Sequence, residues 1–170
     1  MNIGKFLCLT VALAQPAGNA VRAAQVGGEI VDELSGRPTP ARLYIQSGNG
    51  DWFFAESAPG GSAIRYEKRN WVRTNSAELH VTLSAHPFHV ELPPGDYTFT
   101  AERGTEFRPL TRRVTVGSEP VRIRLPLHRW VNMAERGWFS GDTHVHRTLA
   151  ELPNVMLAED LNVAFPLFSP

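Results

Sequence analysis

Phe88-His89-Val90-Glu91-Leu92-Pro93-Pro94-Gly95-Asp96-Tyr97-Thr98-Phe99-Thr100-Ala101 is the stretch on which the fold turns. Apolar side chains fall at every second position on both sides of a Pro-Pro-Gly-Asp break. An extended chain sends alternate side chains to opposite faces, so each run has one face to bury and one to solvate. Proline fixes φ and removes an N–H, and Gly-Asp favours a turn, so the segment predicts two strands around a tight turn, the clearest hairpin of the chain.

Moving outward, the same period of two recurs from Gln25 to about Leu127. Ala41, Leu43 and Ile45 alternate with Arg42, Tyr44 and Gln46, and Leu79, Val81 and Leu83 alternate with His80 and Thr82. Val114 and Val116 lead through Gly117-Ser118-Glu119-Pro120 to Val121, Ile123, Leu125 and Leu127, a further expected pair. Short strands at this spacing, with Gly 14 and Pro 13 to punctuate them, predict a mainly β protein built on an antiparallel sandwich. Gly28-Glu29-Ile30-Val31-Asp32, Ser35-Gly36-Arg37-Pro38, Ala41-Arg42-Leu43 and Leu92-Pro93-Pro94-Gly95-Asp96-Tyr97 together resemble a carboxypeptidase-regulatory-like domain. That resemblance implies a transthyretin/immunoglobulin-like β-sandwich over residues 24–129. Residues 49–75, with Trp52, Phe53, Phe54, Tyr66 and Trp71, read as an insertion whose aromatics either line a binding surface or pack inward.

The N-terminus has the layout of a secretory signal: Lys5, the apolar stretch Phe6–Ala14, then small and polar residues to Ala23. Residues 1–23 are expected to be cleaved after Ala23, with Val21 and Ala23 at the recognition positions, which places the mature chain in the periplasm or outside the cell. The alternative is an uncleaved amphiphilic end. Phe6–Ala14 is too short to span a bilayer, so no stable membrane span is expected after signal removal. Cys8 lies within the apolar stretch, so a mature chain has no disulfide framework. The 17 basic residues balance 17 acidic ones, and loss of Lys5 and Arg22 leaves 15 against 17, which gives a nucleic-acid partner no support.

Beyond the sandwich lies Gly141-Asp142-Thr143-His144-Val145-His146-Arg147. On a strand, His144 and His146 share a face with Cα atoms about 7 Å apart, near enough to meet on one metal ion or to stand as a solvated, hydrogen-bonded pair. Asp142 shares that face, as an orienting acceptor or an additional ligand. Arg147 is either a contact for an anionic substrate or a solvated cation. His86 and His89 flank Pro87 and read as loop or strand-edge residues.

Gly137-Trp138-Phe139-Ser140-Gly141-Asp142-Thr143-His144-Val145-His146-Arg147, with Glu151–Val163 after it, resembles the start of CehA/McbA-type metallohydrolases of the polymerase-and-histidinol-phosphatase superfamily. Members of that type run in the same order: signal, β-sandwich, distorted β/α barrel. The resemblance implies a small-molecule ester or phosphoester substrate, a divalent metal (zinc, manganese or iron), and His144 and His146 as its first two ligands. A full β/α barrel needs about 200 residues or more, so residues 130–170 are expected to form only the first strand-helix-strand of a truncated barrel. Weak metal binding, no turnover alone, and self-association through that segment are the corresponding expectations. A second class stands beside this one: a non-catalytic secreted β-sandwich used for binding or assembly.

Overall fold

The computed structural model describes residues 22–69 and 77–167. The expected signal cleavage site therefore lies at the edge of what is described, and the signal's apolar stretch, Cys8, Trp71 and Phe168 lie outside it. In chain order the strands are β1 (Ala24–Asp32), β2 (Ala41–Ser47), β3 (Trp52–Phe53), β4 (Glu56–Ser57), β5 (Ala63–Arg69), β6 (Ala77–Leu83) and β7 (Phe88–Leu92). There follow β8 (Gly95–Glu102), β9 (Phe107–Arg108), β10 (Leu110–Val116), β11 (Val121–Arg129), β12 (Gly141–Val145), helix α1 (Leu152–Ala158) and β13 (Val163–Pro166). A single 3-10 turn covers Ala134–Arg136. Among the described residues, no helix is long and apolar enough to cross a membrane.

The protein is mainly β. One sheet has the order β4-β7-β1-β11-β9, and the other β10-β8-β2-β6-β5, with β3 paired to β2 beyond the reach of β6. Their inner faces meet in one apolar core where Val26, Leu43, Ile45, Leu92, Phe99 and Leu125 are buried. The alternation expected from sequence is the alternation observed: Ala41, Leu43 and Ile45 point inward on β2, and Tyr97, Phe99 and Ala101 do so on β8.

Strand pairing differs from expectation in three places. The 88–101 segment forms its two strands, but β7 pairs with β1 and β4 while β8 pairs with β2 and β10. It is an arch between sheets, not a hairpin within one. Tyr97 closes it by donating its hydroxyl to the Pro93 carbonyl at 2.8 Å. Likewise β10 and β11, the other expected pair, belong to opposite sheets. Alternation states which side chains share a buried face; two strands facing each other across a core satisfy it as well as two strands side by side. The third difference is parallel pairing of β1 with β11, from Val26 opposite Val121 to Asp32 opposite Leu127, so the first and last strands of the sandwich lie together.

Gly28 permits the packing of that sheet. A Cβ there would lie 2.5 Å from Phe88 Cζ and 2.8 Å from Ile123 Cγ1, so the Phe88 ring occupies the space a side chain would take. After β1, Asp32 Oδ1 accepts from Ser35 N at 2.7 Å and Ser35 Oγ at 2.6 Å, and Gly36 completes the turn at φ +67°. These Ser35 hydrogen bonds, the side-chain one first, hold the Asp32 carboxyl below its usual range.

The aromatic insertion is woven into the sandwich. Its described part supplies β3 against β2, β4 against β7 and β5 against β6. Phe53 packs partly buried on the core, edge-on to Tyr97 with ring centroids 5.4 Å apart. Phe54 lies under the Arg65 guanidinium, 3.8 Å from Cζ to ring centroid.

Candidate functional site

Beyond Arg129 the chain makes one strand-helix-strand unit. β12 and β13 run parallel, Gly141 opposite Val163 and Asp142 opposite Ala164, with α1 between them in sequence. The unit stands against the outer face of the second sheet, with α1 over β6 and β2. This explains why β6 is buried on both faces: Thr82 and His80 are as hidden as their apolar neighbours. Asn154 Nδ2 donates to the Thr82 carbonyl at 3.2 Å.

Both histidines are exposed at the end of β12. Their rings meet edge-on with centroids 4.9 Å apart and their Nε2 atoms 3.0 Å apart. At that separation the two nitrogens share either a proton or a cation. Two metal–nitrogen bonds of about 2.0–2.1 Å at a right angle put the nitrogens roughly 3 Å apart, so the pair fits two neighbouring positions on one ion. Asp142 is placed differently from an imidazole's acceptor. Its Oδ1 accepts the backbone N–H of His144 at 2.9 Å, which fixes the strand locally and leaves the rings to each other. No group of three or more His, Cys, Asp or Glu placed to hold one ion occurs among the described residues.

Arg147 is turned to the sandwich. Its guanidinium carbon lies 4.9 Å from the centroid of Tyr66 on β5, a cation–π contact. Tyr66 stacks on His80 at 5.1 Å and 26°, and His80 meets Tyr44 of β2 at 5.1 Å and 50°. Burial, aided by the positive charges of Arg42 and Arg147, pushes the His80 pKa down to about 4. Its Nδ1 makes no hydrogen bond among the described residues, although the Glu78 carboxylate is 3.4 Å away. Burial also raises the Tyr44 hydroxyl pKa.

A second set of contacts lies at the base of β12. Arg42 is within ion-pair reach of Glu159 at 3.0 Å and of Glu78 and Glu102 at 3.3 Å. Burial nevertheless lifts the Glu159 carboxyl above its usual range, against the pull of Arg42. Asp160, in the left-handed region at φ 55°, accepts from Arg103 Nη2 and Arg129 Nη2, each at 2.8 Å. Both guanidiniums also lie over Phe107, at 5.1 Å and 4.2 Å from its centroid. Gly104, at φ +45°, lets the sandwich approach so closely that a Cβ would lie 2.5 Å from the Glu159 carbonyl oxygen. A cavity of about 450 Å³ opens here, bordered by Arg42, Gly104, Asp142 and Asp160.

Arg103, Arg129, Asp160, Tyr66 and His80 did not stand out in the sequence as partners. Their pairings span 57 residues for Arg103–Asp160 and 31 for Arg129–Asp160, and no local pattern marks contacts of that length. The Gly104 position and the polar face of β6 are the nearest signals.

No protein-family model and no curated sequence matches the chain. Three solved structures are similar in shape. The group B streptococcus pilus 2b backbone protein is 14% identical, with a TM-score of 0.43, covering 66% of this chain and 46% of that one. Phospholipase PlaB from Legionella pneumophila is 15% identical, with a TM-score of 0.37 and coverage of 67% and 26%. The same phospholipase in complex with thio-NAD is 12% identical, with a TM-score of 0.32 and coverage of 64% and 26%. The chain thus matches less than half the length of each of these proteins.

Proposed function

We propose that this chain carries the His144/His146 part of a divalent-metal centre of a hydrolase acting on small-molecule esters or phosphoesters, exported to the periplasm or beyond. The observation that supports it is the approach of the two Nε2 atoms to 3.0 Å from exposed, alternate positions at the end of β12. The resemblance of Gly137–Arg147 to the first barrel strand of CehA/McbA-type enzymes gives the pair its chemical context.

His144 and His146 would hold the ion, and Asp142 fixes the His144 backbone by accepting its N–H. A zinc, manganese or iron ion held there would supply Lewis acidity toward a carbonyl or phosphoryl oxygen. Arg147 is engaged with Tyr66, which ties this end of the segment to the scaffold. Structural and catalytic centres generally use three or more protein ligands. With two converging among the described residues, binding by this chain is weak and exchangeable, and turnover awaits further ligands.

The test is titration with Zn²⁺ or Co²⁺, following the imidazole resonances of the wild type and of the His144→Ala and His146→Ala variants. Fast-exchange shifts confined to these two rings, lost in each variant, are expected. Tight stoichiometric binding that survives both substitutions would show that other residues are the ligands. Rings unmoved by millimolar metal would favour the non-catalytic binding module instead.

A further inference from the structure

The segment carrying the histidine pair is fastened to the sandwich at both ends. At its start, Ser140 Oγ donates to the Asp160 carbonyl at 2.9 Å, and the Ser140 carbonyl accepts from Asn162 N at 3.0 Å and Val163 N at 3.2 Å. The Asp160 side chain is held in turn by Arg103 and Arg129 of the sandwich, both packed on Phe107. At its end, Arg147, the residue next to His146, lies on Tyr66, whose ring stacks on the buried His80 ring. Between these points Gly141–His146 has little packing of its own, since Val145 is its one buried side chain.

We infer that the sandwich sets the geometry of the His144/His146 pair, with Asp160 and Tyr66 as positioning residues at the two ends of the segment. This rests on the metal-centre reading for its chemistry, but the geometric part does not need metal. Two exposed imidazoles brought to 3.0 Å lose rotamer freedom that packing around them does not repay. The fixed ends restrict the backbone to a path on which the rings meet. Freeing either end lets the rings separate, and the entropic cost of bringing them together falls on the ligand instead.

Asp160→Gly separates the clamp from the backbone, because glycine accepts the positive φ without strain while the acceptor for Arg103 and Arg129 is lost. Tyr66→Ala removes the other end, and Tyr66→Phe retains a ring for Arg147 and His80 and serves as the conservative control. For each variant, the imidazole resonances of His144 and His146 are recorded without metal, the Co²⁺ affinity is measured, and hydrogen exchange at Ile30 and Leu125 reports on the sandwich core. Asp160→Gly and Tyr66→Ala are expected to shift both ring signals and weaken Co²⁺ binding about tenfold, the low end for loss of an outer-shell partner. Tyr66→Phe stays within twofold of wild type, and core exchange is unchanged in all three. Wild-type ring signals and Co²⁺ affinity in both disruptive variants would overturn the inference. Wild-type protein that ignores Co²⁺ would defeat the metal-centre reading alone, and the metal-free ring signals would still decide whether the two ends position the pair.

Discussion

Between Ala24 and Arg129 the chain hides Leu43, Ile45, Leu92, Phe99, Leu125 and Leu127 completely, whereas from Gly137 to Leu167 only Val145 and Ala158 are buried. In the second region Trp138, Phe139, Leu157 and Phe165 each leave more than half their surface in water. The first region is held by an apolar core closed from two sides. The second is held to the first by directed polar contacts: Asp160 between two arginines, Glu159 at Arg42, Asn154 on Thr82, and Arg147 on Tyr66. Apolar burial adds up with area and tolerates small shifts, while ion pairs and hydrogen bonds depend on each partner's position. The sandwich is closed by its own core, and the unit after it rests on the sandwich.

The sharpest way to break this contrast is in the core. Phe99→Ala removes a fully buried ring and should cost about 3–5 kcal/mol, lowering the denaturation midpoint of the sandwich and the appended unit together. Independent melting of the appended unit in that variant would contradict its dependence on the sandwich.

Two glycines separate the regions. Gly28→Ala forces Phe88 and Ile123 apart within the core and should destabilise the sandwich by about 1–3 kcal/mol. Gly104→Ala instead meets the Glu159 main chain at a positive φ, where neither side yields easily. Hydrogen exchange in α1 and β13 should then accelerate with β1 and β11 unchanged. Equal acceleration of both regions by Gly104→Ala would mean that they form one cooperative unit.

Acid probes the contact face. His80 stays neutral when folded down to about pH 4, while in the unfolded chain it takes a proton near pH 6.5. The unfolded state therefore binds more protons in that window, so the His80 contribution is full above about pH 6.5 and lost on descent to about pH 4. Glu159, whose carboxyl is raised by burial, works in the opposite direction and favours the folded form as acid is added. His80→Phe should flatten the pH dependence of α1 exchange across this window. An unaltered slope would place the titration elsewhere.

The smallest stability effect is expected at the exposed apolar face. Phe139→Ser and Phe165→Ser should change folding stability by no more than about 0.5 kcal/mol, since both side chains are already solvated. Sedimentation across a concentration series should show less self-association than wild type. An unchanged sedimentation profile would show that this face does not mediate contacts between copies.

What could be read from the residues follows from how far each signal reaches. Alternation acts over two residues, so the faces of β2, β7, β8 and β11 were legible, as was the mainly β class, whereas β6, read with one buried face, also hides His80 and Thr82 beneath the later chain. The His-x-His spacing likewise put His144 and His146 on one side of the chain about the buried Val145, at which β12 ends. Pairing between strands was not legible, because an arch and a hairpin impose the same alternation; only closure of the core sent β7 and β8 to different sheets. The parallel neighbours β1 and β11 meet across about 95 residues, as Glu29 and Arg124 do at 3.0 Å. The sequence by itself determined local periodicity, turn positions and the chemistry available at residues 142–147. Tertiary structure alone decided that Tyr66 meets Arg147 and that Arg103 and Arg129 converge on Asp160, since contacts between distant segments arise only once two sheets have packed and presented an outer face for the rest of the chain to meet.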